Sequence, residues 1–337
     1  MSRVCWVATG LATELTGIER FSLALANALI DRGVVLGSDI TIYADRGATW
    51  TAQLEALGAE IRPIPAGRWT RGPIPSSQTA IIHNLGGGRF PNLDPVARRP
   101  RLIYSVYDWG PFRDWSMPTK ARIAWAGSMI LGCREADVIH YLNPSLENAT
   151  PWPVRKRPDS IAAYCNSSMA FVPESWVLPS PADVPYALFV GTAVARKRIQ
   201  SIVEMSRAEN VNVVLVGQGT EVFNLCPNVD ARGRIPDSEL NDLLNKCAAL
   251  ILVSRYEGFG IPVLEAATRG IQSVVSKEVF ATLPLEMRSH VEVTDPNDST
   301  NFASAVAIAS AKRGSKKFSP STLMDELIAE YTDALGQ

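Results

Sequence analysis

Short apolar runs alternate with helical patterns along the first half of the chain. RVCWVAT (3–9) and DITIY (39–43) have the continuous apolar character of buried strands. Between them Phe21, Leu25, Ala28 and Leu29 recur at i, i+4, i+7 and i+8, one face of a helix that Gly33 ends. Further strands are predicted at TAIIH (79–83), RLIYSV (101–106) and DVIHY (137–141), with a helix over about 118–134. Strands that are apolar on both faces and separated by helices imply a parallel sheet covered on both sides.

A proline-rich stretch, FVPESWVLPSPADVP (171–185), interrupts the alternation, because its prolines resist both helix and central strand. The pattern then restarts with ALFVG (187–191), a helix around 198–208, VNVVLVG (211–217), AALILVS (248–254) and QSVVS (272–276). Leu240, Leu243, Leu244 and Cys247 mark a helix for which Asp237 or Ser238 is the expected cap, and 321–335 reads as a final amphipathic helix. The expected fold class is α/β, with two doubly wound parallel-sheet domains joined by a stiff linker. Ligands of such sheets bind at the carboxyl ends of the strands, so a cleft between the two domains is the expected site.

Composition narrows the function. With 337 residues, 46% hydrophobic content and a net charge of -1, the chain has enough apolar material for two cores and no global field that would call for nucleic acid. The N-terminal segment lacks the apolar core of a secretory signal, and no run approaches a transmembrane span, which points to a cytoplasmic protein. Cys5, Cys133, Cys165, Cys226 and Cys247 are scattered and read as reduced thiols, and with His83, His140 and His290 equally dispersed no metal site is expected. All eight tryptophans lie before residue 180, several beside cations: Arg68, Trp69 and Arg71; Trp115, Lys120, Arg122 and Trp125; Trp152, Arg155, Lys156 and Arg157. That mixture suits peripheral association with a membrane interface.

The chemistry concentrates in Arg255-Tyr-Glu-Gly-Phe-Gly-Ile-Pro-Val-Leu-Glu265, directly after the strand 248–254. Gly258 and Gly260 permit close backbone approach to a ligand, Pro262 is placed for the first helical position, and Glu265 for the first turn. Strand, glycine loop and helix start together form an anion-binding cradle, flanked by two carboxylates, Glu257 and Glu265.

Here the chain resembles the family-4 retaining glycosyltransferases of the GT-B fold, whose mark is Glu-x7-Glu. VSRYEGFGIPVLEAATRGIQSVVS is a close match to it, with Gln272 where that family usually has Pro. GTAVARKRI (191–199) is similar to its phosphate-binding element, GRIPDSELNDLLNKCAALI (233–251) to the run before the Glu motif, and LPLE (283–286) and VEVTDPND (291–298) to the segments after it. TGIERF (16–21) resembles its N-terminal glycine loop, and YDWGPF (107–112) its HDLxPF segment.

The resemblance implies an acceptor-binding domain over 1–175, a nucleotide-sugar-binding domain over 176–320, and a helix over 321–337 that packs back on the first domain. It implies a metal-independent, retaining transfer of a hexosyl group, mannose or glucose type, from a donor such as GDP-mannose or UDP-glucose to a glycan or lipid-linked acceptor, with no cofactor. Arg196 and Lys197 would neutralise the diphosphate, Glu265 would hold the ribose, and Glu257 would face the sugar and the charge that develops on it. Gly17, Gly191, Thr192, Gly217, Arg234, Ile235, Tyr256, Gly258, Phe259, Gly260 and Ile261 would complete the donor site. Asp108 and Tyr107 would stand near the donor sugar, Tyr107 replacing the usual His.

Other readings are carried less far by the residues. Gly217-Gln-Gly219 lacks the third glycine of a dinucleotide loop, and neither a GxxxxGK[ST] loop nor an Asp-x-Asp pair occurs. A sugar-nucleotide epimerase of similar fold is the enzymatic alternative, and a non-catalytic nucleotide-sugar-binding subunit the other.

Overall fold

The computed structural model describes residues 3–8, 17–64, 79–86, 88, 90, 99–113, 117–142, 144–152, 154, 161–162, 177–224, 227–318 and 324–336. Its contacts divide the chain into two compact units, Met1–Ser168 with Ser321–Gln337, and Met169–Pro320.

In the first unit the elements run β1 (Val4–Ala8), α1 (Gly17–Asp31), β2 (Ile40–Asp45), α2 (Thr51–Ala56), β3 (Glu60–Ile64), β4 (Ile81–Asn84), β5 (Arg101–Val106), α3 (Gly110–Arg113), α4 (Thr119–Glu135), β6 (Val138–Tyr141), α5 (Pro144–Asn148) and β7 (Ile161–Ala162). They build one parallel sheet in the order β3-β2-β1-β4-β5-β6-β7. Every residue of β1, β4 and β6 is buried, which accounts for the unbroken apolar run of β1; β4 and β6 also enclose the polar His83, Asn84 and His140. Strand β3 is absent from the sequence reading because it lies at the sheet edge with mostly exposed or half-buried residues, a position that tolerates Pro63.

The second unit repeats the plan: β8 (Ala187–Val190), α6 (Ile199–Glu209), β9 (Val213–Val216), β10 (Val229–Gly233), α7 (Asp237–Lys246), β11 (Ala249–Leu252), α8 (Ile261–Arg269), β12 (Ser273–Val275), α9 (Lys277–Thr282), β13 (Val291–Val293) and α10 (Phe302–Ala311). Its parallel sheet has the order β10-β9-β8-β11-β12-β13. Chain order reverses between β8 and β11, so the connections after these two neighbours leave toward opposite faces and open a crevice at their carboxyl ends.

Helix α11 (Asp325–Leu335) returns to the first unit and lies against β4 and β7. Its buried side chains Leu327, Ile328 and Tyr331 share one face. Tyr331 Oη accepts from Trp6 Nε1 at 2.8 Å and meets His83 Nδ1 at 2.7 Å. His83 Nε2 lies 2.7 Å from Ser105 Oγ, which in turn lies 2.8 Å from His140 Nδ1. Arg3 Nη2 donates to the Leu335 carbonyl at 2.9 Å, and Arg101 pairs with Glu330 at 2.8 Å.

Two local expectations are corrected. Helix α7 begins at Asp237 itself, with Pro236 as the flanking residue and no side-chain cap; extended Pro236 supplies the carbonyl that Leu240 N reaches at 3.0 Å. Helix α8 begins at Ile261, so Pro262 is its second residue and Glu265 its fifth, just beyond the first turn. The linker residues 171–176, and with them Trp176, lie outside the described residues, as do Cys165, Cys226, Arg68, Trp69, Arg71, Trp115 and residues 155–157.

Candidate functional site

The connections after β8, β9, β10 and β11 bring together most of the residues the resemblance singled out in the second unit. Gly191 N donates to the Val216 carbonyl at 2.9 Å, and Gly217 N to the Gly233 carbonyl at 2.7 Å, so three strand ends are stitched side by side. Gly217 is held at φ +132, and a Cβ there would sit 2.1 Å from the Gly191 carbonyl oxygen. Its glycine is therefore required by the packing of the backbone itself. Thr192 and Arg234 are exposed, and Ile235 is half-buried.

After β8 the chain makes a single 3₁₀ turn, Ala195–Lys197, and Arg198 then takes a left-handed conformation, φ 51 and ψ 40, before α6 starts. This turn is fastened to the loop after β11. Arg255 N donates to the Arg196 carbonyl at 2.8 Å, Arg196 Nη1 donates to the Tyr256 carbonyl at 3.3 Å, and the Arg196 guanidinium lies 5.3 Å from the Tyr256 ring centroid. Arg198 pairs with Glu278 of α9 at 2.7 Å.

The two cations converge on one carboxylate. Lys197 Nζ is 2.5 Å from Glu257 Oε1, and Arg196 Nη1 is 3.2 Å from Oε2. The side chains are 10% exposed for Lys197, 9% for Glu257 and 25% for Arg196, so the pairing is largely shielded from water. Burial pushes the Glu257 carboxyl upward, and the charges of Lys197 and Arg196 outweigh it, holding the group below its ordinary range. The resemblance assigned the two cations to the donor diphosphate and Glu257 to the sugar; the structure joins the three directly.

Beyond Glu257, Phe259 is buried and Gly260 flanks α8 at φ +82, a conformation that suits glycine. Glu265 is buried on α8, and the Arg269 guanidinium one turn later donates to the Glu265 carbonyl at 2.8 Å and to Asn241 Oδ1 of α7 at 3.0 Å. Burial lowers the Arg269 pKa, and the Glu265 charge works in the opposite direction. Arg269 and Asn241 escaped the sequence reading, although the i, i+4 spacing of Glu265 and Arg269 was a signal for it.

In the first unit Gly17 is the first residue of α1. Tyr107 packs edge-on against Phe21, with ring centroids 5.7 Å apart. Asp108 Oδ1 accepts from Gly110 N at 2.7 Å, which closes the turn into α3. Lys120 and Trp125 on α4 and Trp152 are exposed, whereas Trp6, Trp50 and Trp109 are buried. Among the described residues no group of three His, Cys, Asp or Glu side chains is placed to hold a metal ion, and no helix is long and apolar enough to cross a membrane.

Residues 173–317, nearly the whole second unit and the whole of this cation and glycine-loop cluster, match the family model described as glycosyl transferases group 1. The second unit belongs to that family. The chain also carries likenesses to individual proteins. The chain is similar to O-antigen chain mannosyltransferase B of Escherichia coli, 31% identical over an alignment of 129 residues that covers 34% of this chain and 33% of that one. The match thus spans about a third of the length of the curated relatives, 33% and 31%. Among solved structures, sucrose-phosphate synthase from Thermosynechococcus elongatus superposes with a TM-score of 0.64 at 16% identity, covering 99% of this chain and 95% of that one. The Anabaena protein HepE, solved with UDP and glucose, superposes with a TM-score of 0.67 at 14% identity, covering 99% and 100%. These likenesses extend beyond the group 1 unit and show the GT-B fold for the chain, two Rossmann-like parallel sheets.

Proposed function

We propose that the chain is a retaining hexosyltransferase that moves mannose or glucose from a nucleotide-diphosphate sugar to a glycan or lipid-linked acceptor without a metal ion or cofactor. The observation that carries this reading is the convergence of Arg196, Lys197 and Glu257 at the reversal point of the second sheet, beside the glycine loop that opens α8. Open α/β sheets bind ligands at such a point. Breaking the bond between sugar and diphosphate leaves negative charge on the departing phosphate, and two fixed cations stabilise that charge. The phosphate oxygen that departs takes the proton of the acceptor hydroxyl as the new glycosidic bond forms on the same face, which needs no protein nucleophile. The complex of HepE with UDP and glucose supports a nucleotide-sugar donor, and the E. coli mannosyltransferase supports a mannosyl donor.

Glu265 is the candidate ribose ligand. Its neighbour Arg269 makes Glu265→Gln the better variant, since it keeps volume and leaves one acceptor oxygen. Loss of charge-assisted hydrogen bonds worth roughly 1.5–3 kcal/mol lowers nucleotide affinity about 10- to 150-fold. Calorimetric titration of UDP and GDP into both proteins reads this, beside donor turnover measured in excess EDTA. Absence of nucleotide binding by the native chain, or turnover that vanishes in EDTA and returns with magnesium or manganese, refutes the proposal.

A further inference from the structure

Lys197 and Arg196 are already engaged by a carboxylate, a group whose shape imitates a phosphate. The two oxygens of Glu257 are divided between two separate cations, 2.5 Å to Lys197 and 3.2 Å to Arg196. A planar carboxylate bridging two cationic donors presents the same pair of acceptor oxygens that a phosphoryl group presents. The cations themselves are poorly placed to move aside. Arg196 is tied at its carbonyl by Arg255 N, at its guanidinium by the Tyr256 carbonyl, and across the Tyr256 ring. The turn that bears both cations is closed by Arg198, whose guanidinium is paired with Glu278. Glu257, by contrast, is followed directly by Gly258 in a loop.

We infer that Glu257 is an internal competitor for diphosphate, a carboxylate that the nucleotide must displace from Lys197 and Arg196 when it binds and that takes them back when it leaves. This rests on the reading of those two cations as the diphosphate ligands. Two positive charges match the two negative charges of a sugar-linked diphosphate only when Glu257 stands aside. After transfer the free nucleoside diphosphate, once it has given up to solvent the proton taken from the acceptor, carries one more negative charge and is held more tightly by the same cations. Glu257, returning to them, lowers product affinity and speeds release. The role is separate from any contact Glu257 makes with the sugar, because it acts on ligands that have no sugar.

The test is calorimetric titration of UDP, GDP and inorganic pyrophosphate into the native chain, Glu257→Gln, and Glu257→Gln combined with Lys197→Met. Removing the competing carboxylate tightens binding of the preferred nucleoside diphosphate, and of pyrophosphate, by about tenfold or more. The gain disappears in the double variant, since Lys197 is the cation most closely held. Equal or weaker binding by Glu257→Gln overturns the inference, including the case in which neither protein binds any of the three probes. The two readings fail separately. A native chain that turns over sugar nucleotides while Glu257→Gln gains no affinity leaves the transferase reading standing and removes the competitor. A Glu257→Gln protein that captures pyrophosphate while the native chain neither binds nor turns over sugar nucleotides does the reverse. Glu257→Asp, which draws the carboxylate back by one methylene, tightens binding in the same direction and serves if Glu257→Gln lacks a cooperative melting transition.

Discussion

Tyr331→Phe is a change of one buried oxygen whose effect can be worked out from the first unit's polar chain. An indole N–H only donates, so Trp6 donates to Tyr331 Oη, and the phenol proton is left to point at His83 Nδ1. His83 must then carry its proton on Nε2, donating to Ser105 Oγ, and Ser105 donates in turn to His140 Nδ1. The indole fixes the direction of the first bond, and pairing the phenol proton with His83 sets that of the other three. Trp6, His83 and Tyr331 are all fully buried, so water does not replace the lost oxygen. Phenylalanine leaves the Trp6 donor and His83 Nδ1 unpaired, each at about 1–3 kcal/mol, and the two together cost roughly 2–6 kcal/mol. Urea unfolding followed by tryptophan fluorescence is the assay, because seven of the eight tryptophans belong to this unit. The midpoint of the first unit's transition falls and its slope is preserved. A change below about 0.5 kcal/mol, the ordinary scatter of surface substitutions, refutes the pairing of Trp6 and His83 through Tyr331 and the dryness of the network.

Gly217→Ala forces a Cβ to 2.1 Å from the Gly191 carbonyl and costs the second unit about 3 kcal/mol or more, whereas Gly33→Ala, at φ +71 with nothing within 4 Å, costs about 1 kcal/mol; equal losses in thermal unfolding would show that the close approach is relieved cheaply. Stability falls on acidification because burial, aided by the charge of His140 at His83 and of Lys316 at His290, holds both histidines below their ordinary value of 6.5. The unfolded chain binds protons at these sites before the folded one does, so the contribution is complete above about 6.5 and is lost progressively as pH drops from there toward the folded values. Urea midpoints measured from pH 7.5 to pH 5 decline accordingly, less steeply for His290→Leu; a flat profile contradicts the assignment.

How much was legible in the sequence depended on burial. Central strands such as β1 and β11 are covered on both faces and spell continuous apolar runs. Edge strands β3 and β10 need only half a face, so Glu60, Pro63, Asp230 and Arg232 interrupt them and the signal drops to that of a loop. Helix α10 went unread for the opposite reason, being apolar on nearly all sides with no polar face to reveal its period. At the candidate site, glycines, a basic turn and two glutamates stand out one by one because each is rare in its local context. Their mutual arrangement does not, since the pairing of Lys197 with Glu257 joins residues 60 positions apart and follows only from the adjacency of β8 and β11. Asp108 shows the converse, a residue picked out by motif whose Oδ1 is engaged in closing its own turn.

The return of α11 to the first sheet sets an order of events during synthesis. The residues of the second unit, Met169–Pro320, form one uninterrupted stretch, while those of the first are split around it. At ~5–20 residues per second, translating the intervening stretch of about 150 residues takes roughly 8–30 s. For that interval the strands carrying Trp6 and His83 have left the ribosome while Tyr331 does not yet exist. The unit that begins first is thus completed last, and a chain interrupted shortly after Pro320 carries a finished second unit beside a first one whose buried indole and imidazole still lack their phenol. Until residues 325–335 emerge, the part of the first sheet that α11 covers stays open, as much in a chain stalled after Pro320 as in one stalled at Ser168.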